Sequence, residues 1–437
     1  MSAPIAAGLT DRRGVPLQHR AGRALGLAGL ALVLLATLTP TRDIRGGSLA
    51  TPLLCLVCGD NGGADVANNL LLFLPLAIGL RFSGASWLRS VVASALLSFT
   101  VELLQLLVIP GRDASLSDLL TNTVSAAIGA TLGPALPGMV APPPRRAALL
   151  LAGGVAALGA LLAAWAWLLV PQAPPGAVAS RWAHESPGPG AFRGVVRSVR
   201  LDGVPMPPNG PPPNTASLLR RLDRGTMTLE VEVVSGVPVA YDAWIYMLQS
   251  RWGGVLELSQ TGREARVSVP TRGVNWRLGA PGVSLADALP KAAGVPVRLR
   301  ATAAAGRVSV ASSYHGVERA VELGISPALG WIMFIPFDLA VGERVRWATA
   351  LLLGLLLLPL GYWAAGTRRL WPAAGSLTLT LVAALAVLPA AAGFPPVHWS
   401  EWVAGALGAA VGWALRGSAT YLQTPCASPS DNESSSS

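Results

Sequence analysis

The chain has 437 residues, 52% of them hydrophobic and only 13% charged. A soluble protein carries about 25% charged residues, so the composition argues against a wholly soluble chain and rules out a fibrous or mainly disordered one. The net charge of +10 comes from arginine, with Lys291 the only lysine, and those arginines punctuate long uncharged runs. That spacing fits membrane-topology signals better than a nucleic-acid surface. Nucleic acid is accordingly not an expected partner, and membrane lipids are.

A spanning helix needs about 20 mostly apolar residues. Eight segments qualify as candidates: 24–40, 66–82, 88–109, 118–136, 147–170, 346–365, 373–393 and 400–416. The first could instead be a signal peptide, because arginines precede it. No clear small-residue cleavage site follows, and a retained helix is the preferred reading. The expected organisation is a cytoplasmic segment 1–23, a four-helix membrane domain 24–136, a fifth helix 147–170, an external domain 171–345, three C-terminal helices 346–416 and a disordered tail 417–437. Arginine counts set the orientation. Arg12, Arg13, Arg20, Arg23, Arg81, Arg89, Arg145, Arg146, Arg368, Arg369 and Arg416 fall on one side, whereas the short opposite loops hold Arg42, Arg45 and Arg112. Both termini are therefore expected in the cytoplasm, with 171–345 outside.

Segment 171–345 has period-2 stretches, the mark of strands with one buried face. Met227, Leu229, Val231 and Val233 alternate with Thr228, Glu230 and Glu232. Val297, Leu299 and Ala301 alternate with Arg298 and Arg300. Further strands are expected over 192–201, 243–249, 255–260, 264–269, 308–314 and 317–323, which together predict a β-sandwich. Pro205–Pro213 reads as a proline-rich surface loop.

Ionisable groups inside spans are costly and are functional candidates by default. They concentrate in helices two to four. Asp65, Asn68 and Asn69 open the second. Glu102 and Gln105 share one face of the third at i, i+3, and Asp118 and Asn122 share a face of the fourth at i, i+4. Arg112 and Asp113 occupy the short loop between the last two. At 1.5 Å per residue, Glu102 and Asn122 sit about 10 Å and 6 Å from the outer helix ends. The expectation is an outward polar pocket containing Glu102, Asp118, Asp65, Asn68, Gln105, Arg112 and Asn122. The alternative is that the amides simply join helices, each bond contributing about 0.6–2 kcal/mol.

At these residues the sequence resembles the VanZ-like family of bacterial membrane proteins. The match runs through Cys55-Leu56-Val57-Cys58-Gly59, then Asp65-Val66-Ala67-Asn68-Asn69 into Phe73-Leu74-Pro75-Leu76, Glu102-Leu103-Leu104-Gln105, Arg112-Asp113, Ser117-Asp118, Asn122 and Gly129. It covers about residues 20–136. The resemblance implies a role in the cell envelope, including glycopeptide-antibiotic resistance, and carries over no catalytic assignment. Segment 178–325 looks like a concanavalin A-like or LamG-type jelly roll, through Leu256-Glu257-Leu258-Ser259-Gln260 and Gly306-Arg307-Val308-Ser309-Val310 up to Tyr314. Trp244, Trp252, Trp276 and Tyr314 could stack on sugars, although aromatics in a sandwich are commonly core. Cys55 and Cys58, on the expected oxidising side, could form a local disulfide. No metal-ligand set or cofactor motif is present.

The C-terminal helices echo the fourth: Ser117-Asp118 precedes Gly129 with the spacing by which Ser400-Glu401 precedes Gly412. His398 and Glu401 are secondary candidates. The favoured function is handling or sensing of an envelope glycan or lipid-linked precursor through the outward pocket, helped by a glycan- or protein-binding sandwich. The alternatives are an intramembrane enzyme with Glu102 or Asp118 as acid/base and, further off, a transporter. A transporter would want polar residues continuing inward, where Ser94 and Ser98 stand among apolar neighbours.

Overall fold

A computed structural model describes residues 17–39, 57, 61–109, 115–183, 190–250, 253–335 and 343–421. Helix α1 is Leu17–Leu38, α2 Gly62–Phe82, α3 Trp87–Leu107, α4 Leu116–Leu132 and α5 Pro144–Leu169. After the β region come α7 Glu343–Ala365, α8 Leu370–Ala391 and α9 Trp399–Tyr421. Six of these, α1, α2, α3, α5, α7 and α8, are long and apolar enough to cross a membrane. The expected fourth and eighth spans also form helices. However, α4 has only 17 residues, and α9 is diluted by glycine, tryptophan, Glu401 and Arg416. Helix α9 also continues to Tyr421, into the stretch expected to be disordered.

Local sequence accounts for the interruptions. Helix α2 breaks at Phe73, two residues before Pro75, whose missing N–H leaves the previous turn unbonded. In α8 a π turn at Ala383–Val387 precedes Pro389, absorbing the same lost donor. Helix α5 starts with Pro144 at its first position, where an N–H has no helical partner anyway.

The helices turn large apolar side chains outward. Leu35, Leu107, Leu149, Leu351 and Leu379 are each about two-thirds exposed or more, a surface suited to lipid and not to water. Exposed tryptophans stand near the helix ends: Trp167, Trp347 and Trp399 beside the β region, Trp87 and Trp371 at the opposite ends. Indoles favour the membrane–water boundary.

The β region is a sandwich of two six-stranded antiparallel sheets. In chain order the strands are β1 Val178–Trp182, β2 Val195–Leu201, β3 Val204–Pro205, β4 Asn209–Gly210, β5 Met227–Val234, β6 Ala243–Ser250, β7 Gly253–Thr261, β8 Glu264–Ser268, β9 Gly282–Leu285, β10 Pro296–Ala304, β11 Arg307–Tyr314 and β12 Val317–Gly324. One sheet runs β4-β1-β6-β7-β8-β9 and the other β12-β11-β10-β5-β2-β3. The alternation on β5 and β10 is observed: Met227, Leu229, Val231 and Val233 are buried, as are Val297, Leu299 and Ala301. Full burial of such side chains contributes about 1.5–3 kcal/mol each. On the outer face β10 pairs Arg298 with Glu232 and Arg300 with Glu230, exposed ion pairs that add about 0–1 kcal/mol apiece.

Three features depart from the sequence reading. The Pro205–Pro213 loop contains part of β3 and all of β4, because Pro205 and Asn209–Gly210 lie on sheet edges where proline is tolerated. Strands β1 and β9 were not anticipated. Nor was helix α6, Thr215–Asp223, which buries Leu218 and Leu222. The sandwich core is continuous with Leu158, Leu162, Trp165 and Leu169 of α5 and with Leu353 and Leu357 of α7, whereas Val33, Phe73 and Leu76 form a separate cluster between α1 and α2.

Candidate functional site

The site is built at the ends of α2, α3 and α4 nearest the sandwich. Ser115 caps α4, its hydroxyl accepting from the Ser117 N–H at 3.1 Å. The free Ser115 N–H donates to Glu102 Oε2 at 2.7 Å. A capping turn on α4 thereby holds a carboxylate from α3 that is only 9% exposed. Asp118, one turn into α4, accepts from Asn69 Nδ2 at 2.8 Å and is close enough to Glu102 to act on it electrostatically. Asn69 is thus the partner that ties α2 to this pair of acids.

The other expected pocket residues are distributed differently. Gln105 turns toward α1, donating to the Thr37 carbonyl at 2.9 Å. Asn68 leaves the helix bundle and donates to the Phe334 carbonyl, in the segment after the sandwich. Asp65 is exposed on the first turn of α2. Asn122, 2% exposed, faces α3 and donates to Ser98 Oγ at 3.0 Å. The expected single pocket resolves into a core of Glu102, Asp118 and Asn69, with flanking amides that fasten it to α1, to the sandwich side and to the interior. Arg112 and Asp113 fall outside the described residues, as do Cys55, Cys58 and Trp252.

Below Asn122 lies a polar seam that the apolar composition of α3 conceals. Ser90, Ser94 and Ser98 recur every four residues and are fully buried, as is Ser125 on α4. The oxygens Ser94 Oγ, Ser125 Oγ and Asn122 Oδ1 are buried without a hydrogen-bond partner. Small hydroxyl side chains let membrane helices approach closely, so the seam serves packing as well as polarity.

Of the aromatic residues considered for sugar stacking, Trp244, Trp276 and Tyr314 lie on separate parts of the sandwich. Trp244 is half-buried on β6 in one sheet, while Tyr314 ends β11 in the other. Its hydroxyl donates to the Asp287 carbonyl at 3.1 Å, and Arg319 lies over its ring. Trp276 packs edge-on to Trp167 at the foot of the sandwich.

That foot is the feature sequence reading missed. Arg277, in left-handed backbone geometry, offers its carbonyl to the first N–H groups of α2, Gly63 at 3.0 Å and Ala64 at 3.3 Å. A Cβ on Gly63 would lie 2.0 Å from the Trp276 carbonyl oxygen, so only glycine admits this contact. Beside it Arg272 stacks on Trp167 and donates to Gln172 Oε1 at 2.9 Å. Arg272, Asp223, Leu219 and Pro171–Pro175 line a cleft of about 370 Å³. No local sequence pattern marks it, because its parts come from four separate stretches of chain.

No curated protein and no solved structure matches this chain. Residues 19–136, the segment that contains all but the first two residues of α1, the whole of α2 to α4 and every residue of the polar site, match the VanZ/LLP1 family model.

Proposed function

We propose that this VanZ-like membrane protein receives an envelope component, a glycan or lipid-linked precursor, at an outward polar site formed by Glu102, Asp118 and Asn69. The sandwich, read as a concanavalin A-like jelly roll, stands over that site on the extracytoplasmic face of a bacterial cytoplasmic membrane, with both termini in the cytoplasm. The observation that carries the reading is Glu102: a nearly buried carboxylate held by one backbone N–H, next to a second acid, at the end of the bundle that meets the sandwich. Carboxylates inside membrane spans are rare and are functional candidates by default.

The foot contacts supply the second element. Arg277 on the α2 terminus and Phe334 on Asn68 let a ligand on the sandwich shift α2, and with it Asn69 and Asp118. The test is complementation of a deletion strain, scoring envelope-drug sensitivity and lipid-linked intermediates, with wild type, Glu102→Gln, or a chain lacking 178–325, at matched expression. Failure of Glu102→Gln with function retained by the truncation supports the membrane site. The reverse result moves the function to the sandwich.

An enzymatic version uses the same residues. Two adjacent carboxyl groups, one with a neutral amide donor and one with a backbone donor, suit general acid–base transfer on a lipid-linked substrate. Turnover by purified protein that is abolished in Glu102→Gln would establish it.

A further inference from the structure

The C-terminal helices repeat one interhelical contact of the first four, turn for turn. In the first set, a Cβ placed on Gly129 of α4 would meet the Leu74 carbonyl oxygen at 2.9 Å and the Ile78 nitrogen at 3.4 Å on α2. In the second, a Cβ on Gly412 of α9 would meet the Leu358 carbonyl oxygen at 1.9 Å and the Tyr362 nitrogen at 2.8 Å on α7. Leu74 precedes Pro75 and Leu358 precedes Pro359, so both glycines ride over the same turn relative to a helix proline. Eleven residues before each glycine stands an acid, Asp118 or Glu401, behind a buried serine, Ser117 or Ser400.

Connectivity follows the same plan. In both sets the second and fourth helices form a packed pair, and the chain makes a long excursion between the first and second helices. In the first set that excursion is the stretch from α1 to α2; in the second it is the whole sandwich, from α5 to α7. The acids face the same end. Asp118 accepts from Asn69, and Glu401, 4% exposed, lies 3.4–3.5 Å from the Ser326 hydroxyl just after β12. His398 Nδ1, bound to Ser400 Oγ at 2.8 Å, is the other titratable group at that helix start. The position matching Glu102 in the spacing to the acid is Leu385, which is buried and apolar.

We infer that the membrane part is one four-helix unit present twice in the same orientation, with the sandwich inserted between the first and second helices of the second copy, and that Ser326–Glu401 is the second copy's outer site, given over to anchoring the sandwich. The first copy keeps two acids and an amide donor. The second keeps one acid and spends it on the strand that leaves the sandwich. The shared apolar core of the sandwich, α5 and α7 agrees with that division.

The test uses the full-length chain. Ser117–Gly129 is replaced by Ser400–Gly412 in register, and in a second variant by the same segment displaced two positions. Detergent-solubilised thermal midpoints are then read by size-exclusion chromatography. The in-register exchange is expected to stay monodisperse with a midpoint within a few degrees of wild type, and the displaced one to lose its folded peak. Equal behaviour of two folded exchanges would overturn the shared register. Should both fail to fold, single cysteines at Ser83, Thr367, Ser115 and His398 in a chain with Cys55, Cys58 and Cys426 changed to serine decide. Labelling of Ser83 with Thr367 from one face, and of Ser115 with His398 from the other, supports the duplication; counterparts on opposite faces refute it. As a separate readout for the anchor, Glu401→Leu should increase protease cleavage between residues 324 and 343, and Asp118→Leu should not. Equal cleavage in the two variants would refute the anchoring role.

Discussion

Asn69 donates to Asp118 at 2.8 Å, from the first half of α2 to the first turn of α4, while the adjacent Asn68 reaches the Phe334 carbonyl beyond the sandwich. Two neighbouring amides on one helix therefore face the polar site and the segment after the sandwich respectively. A displacement of α2 would be felt at both.

The Asn69–Asp118 bond predicts a measurable coupling. In a double-mutant cycle of Asn69→Ala and Asp118→Ala, unfolding in mixed micelles should give about 0.6–1.7 kcal/mol of interaction energy, the range seen for hydrogen bonds between membrane helices. Additive single changes would show that the two side chains do not meet.

The seam between α3 and α4 predicts opposite outcomes for neighbouring residues. Asn122→Ala removes the bond to Ser98 and empties volume in a buried position, and should cost about 2–3 kcal/mol. Ser94→Ala deletes a buried hydroxyl that has no partner and should be neutral or slightly stabilising. Thermal midpoints of the two purified variants check the contrast.

Gly63→Val tests the foot. Its Cβ would overlap the Trp276 carbonyl oxygen, and a branched side chain has no rotamer that avoids a backbone clash. Loss of the Arg277 bonds to Gly63 and Ala64 should raise hydrogen exchange at the start of α2 and over 272–278, with the sandwich strands unchanged. Unaltered exchange at both places would contradict the docking.

How much of this was legible beforehand depends on the kind of signal. Hydrophobic runs located α1 to α5 and α7 to α9 to within several residues, and the Leu229/Val231 and Val297/Leu299 alternations marked the central strands, because each is a local pattern. Strand β9, buried along its whole length, carries no alternation to detect, and β3 and β4 are two-residue edge pairings. The site was legible as a set of residue types, yet not as contacts. Glu102 meets a backbone N–H at Ser115, which no side-chain pattern encodes, and Gln105 turns to Thr37 on a helix 68 positions away in sequence. The repeat of Gly129 by Gly412 was visible as spacing, but only the contacts with Leu74 and Leu358 give it meaning.

The sandwich has its own pH limit. Burial pushes the Tyr246 phenol up to about 12, with the nearby Ser180 hydroxyl offsetting part of the effect. A phenol whose folded value is raised is stabilised in its neutral form. Its contribution is intact below the unfolded value near 10 and is lost as pH climbs from 10 through about 12, about 2–3 kcal/mol in all. Stability of wild type should fall across that window more steeply than that of Tyr246→Phe; parallel curves would show that Tyr246 does not titrate with unfolding.

The most direct measurement of the central claim is complementation by Glu102→Gln. Glutamine keeps an oxygen to accept the Ser115 N–H and occupies nearly the same volume, so the helix contact survives while the acid does not. If the polar site acts through its carboxylate, this variant is made and inserted at wild-type levels yet leaves the deletion phenotype in place. Full complementation by Glu102→Gln, at equal expression, would contradict the account and reduce Glu102 to a clasp between α3 and α4.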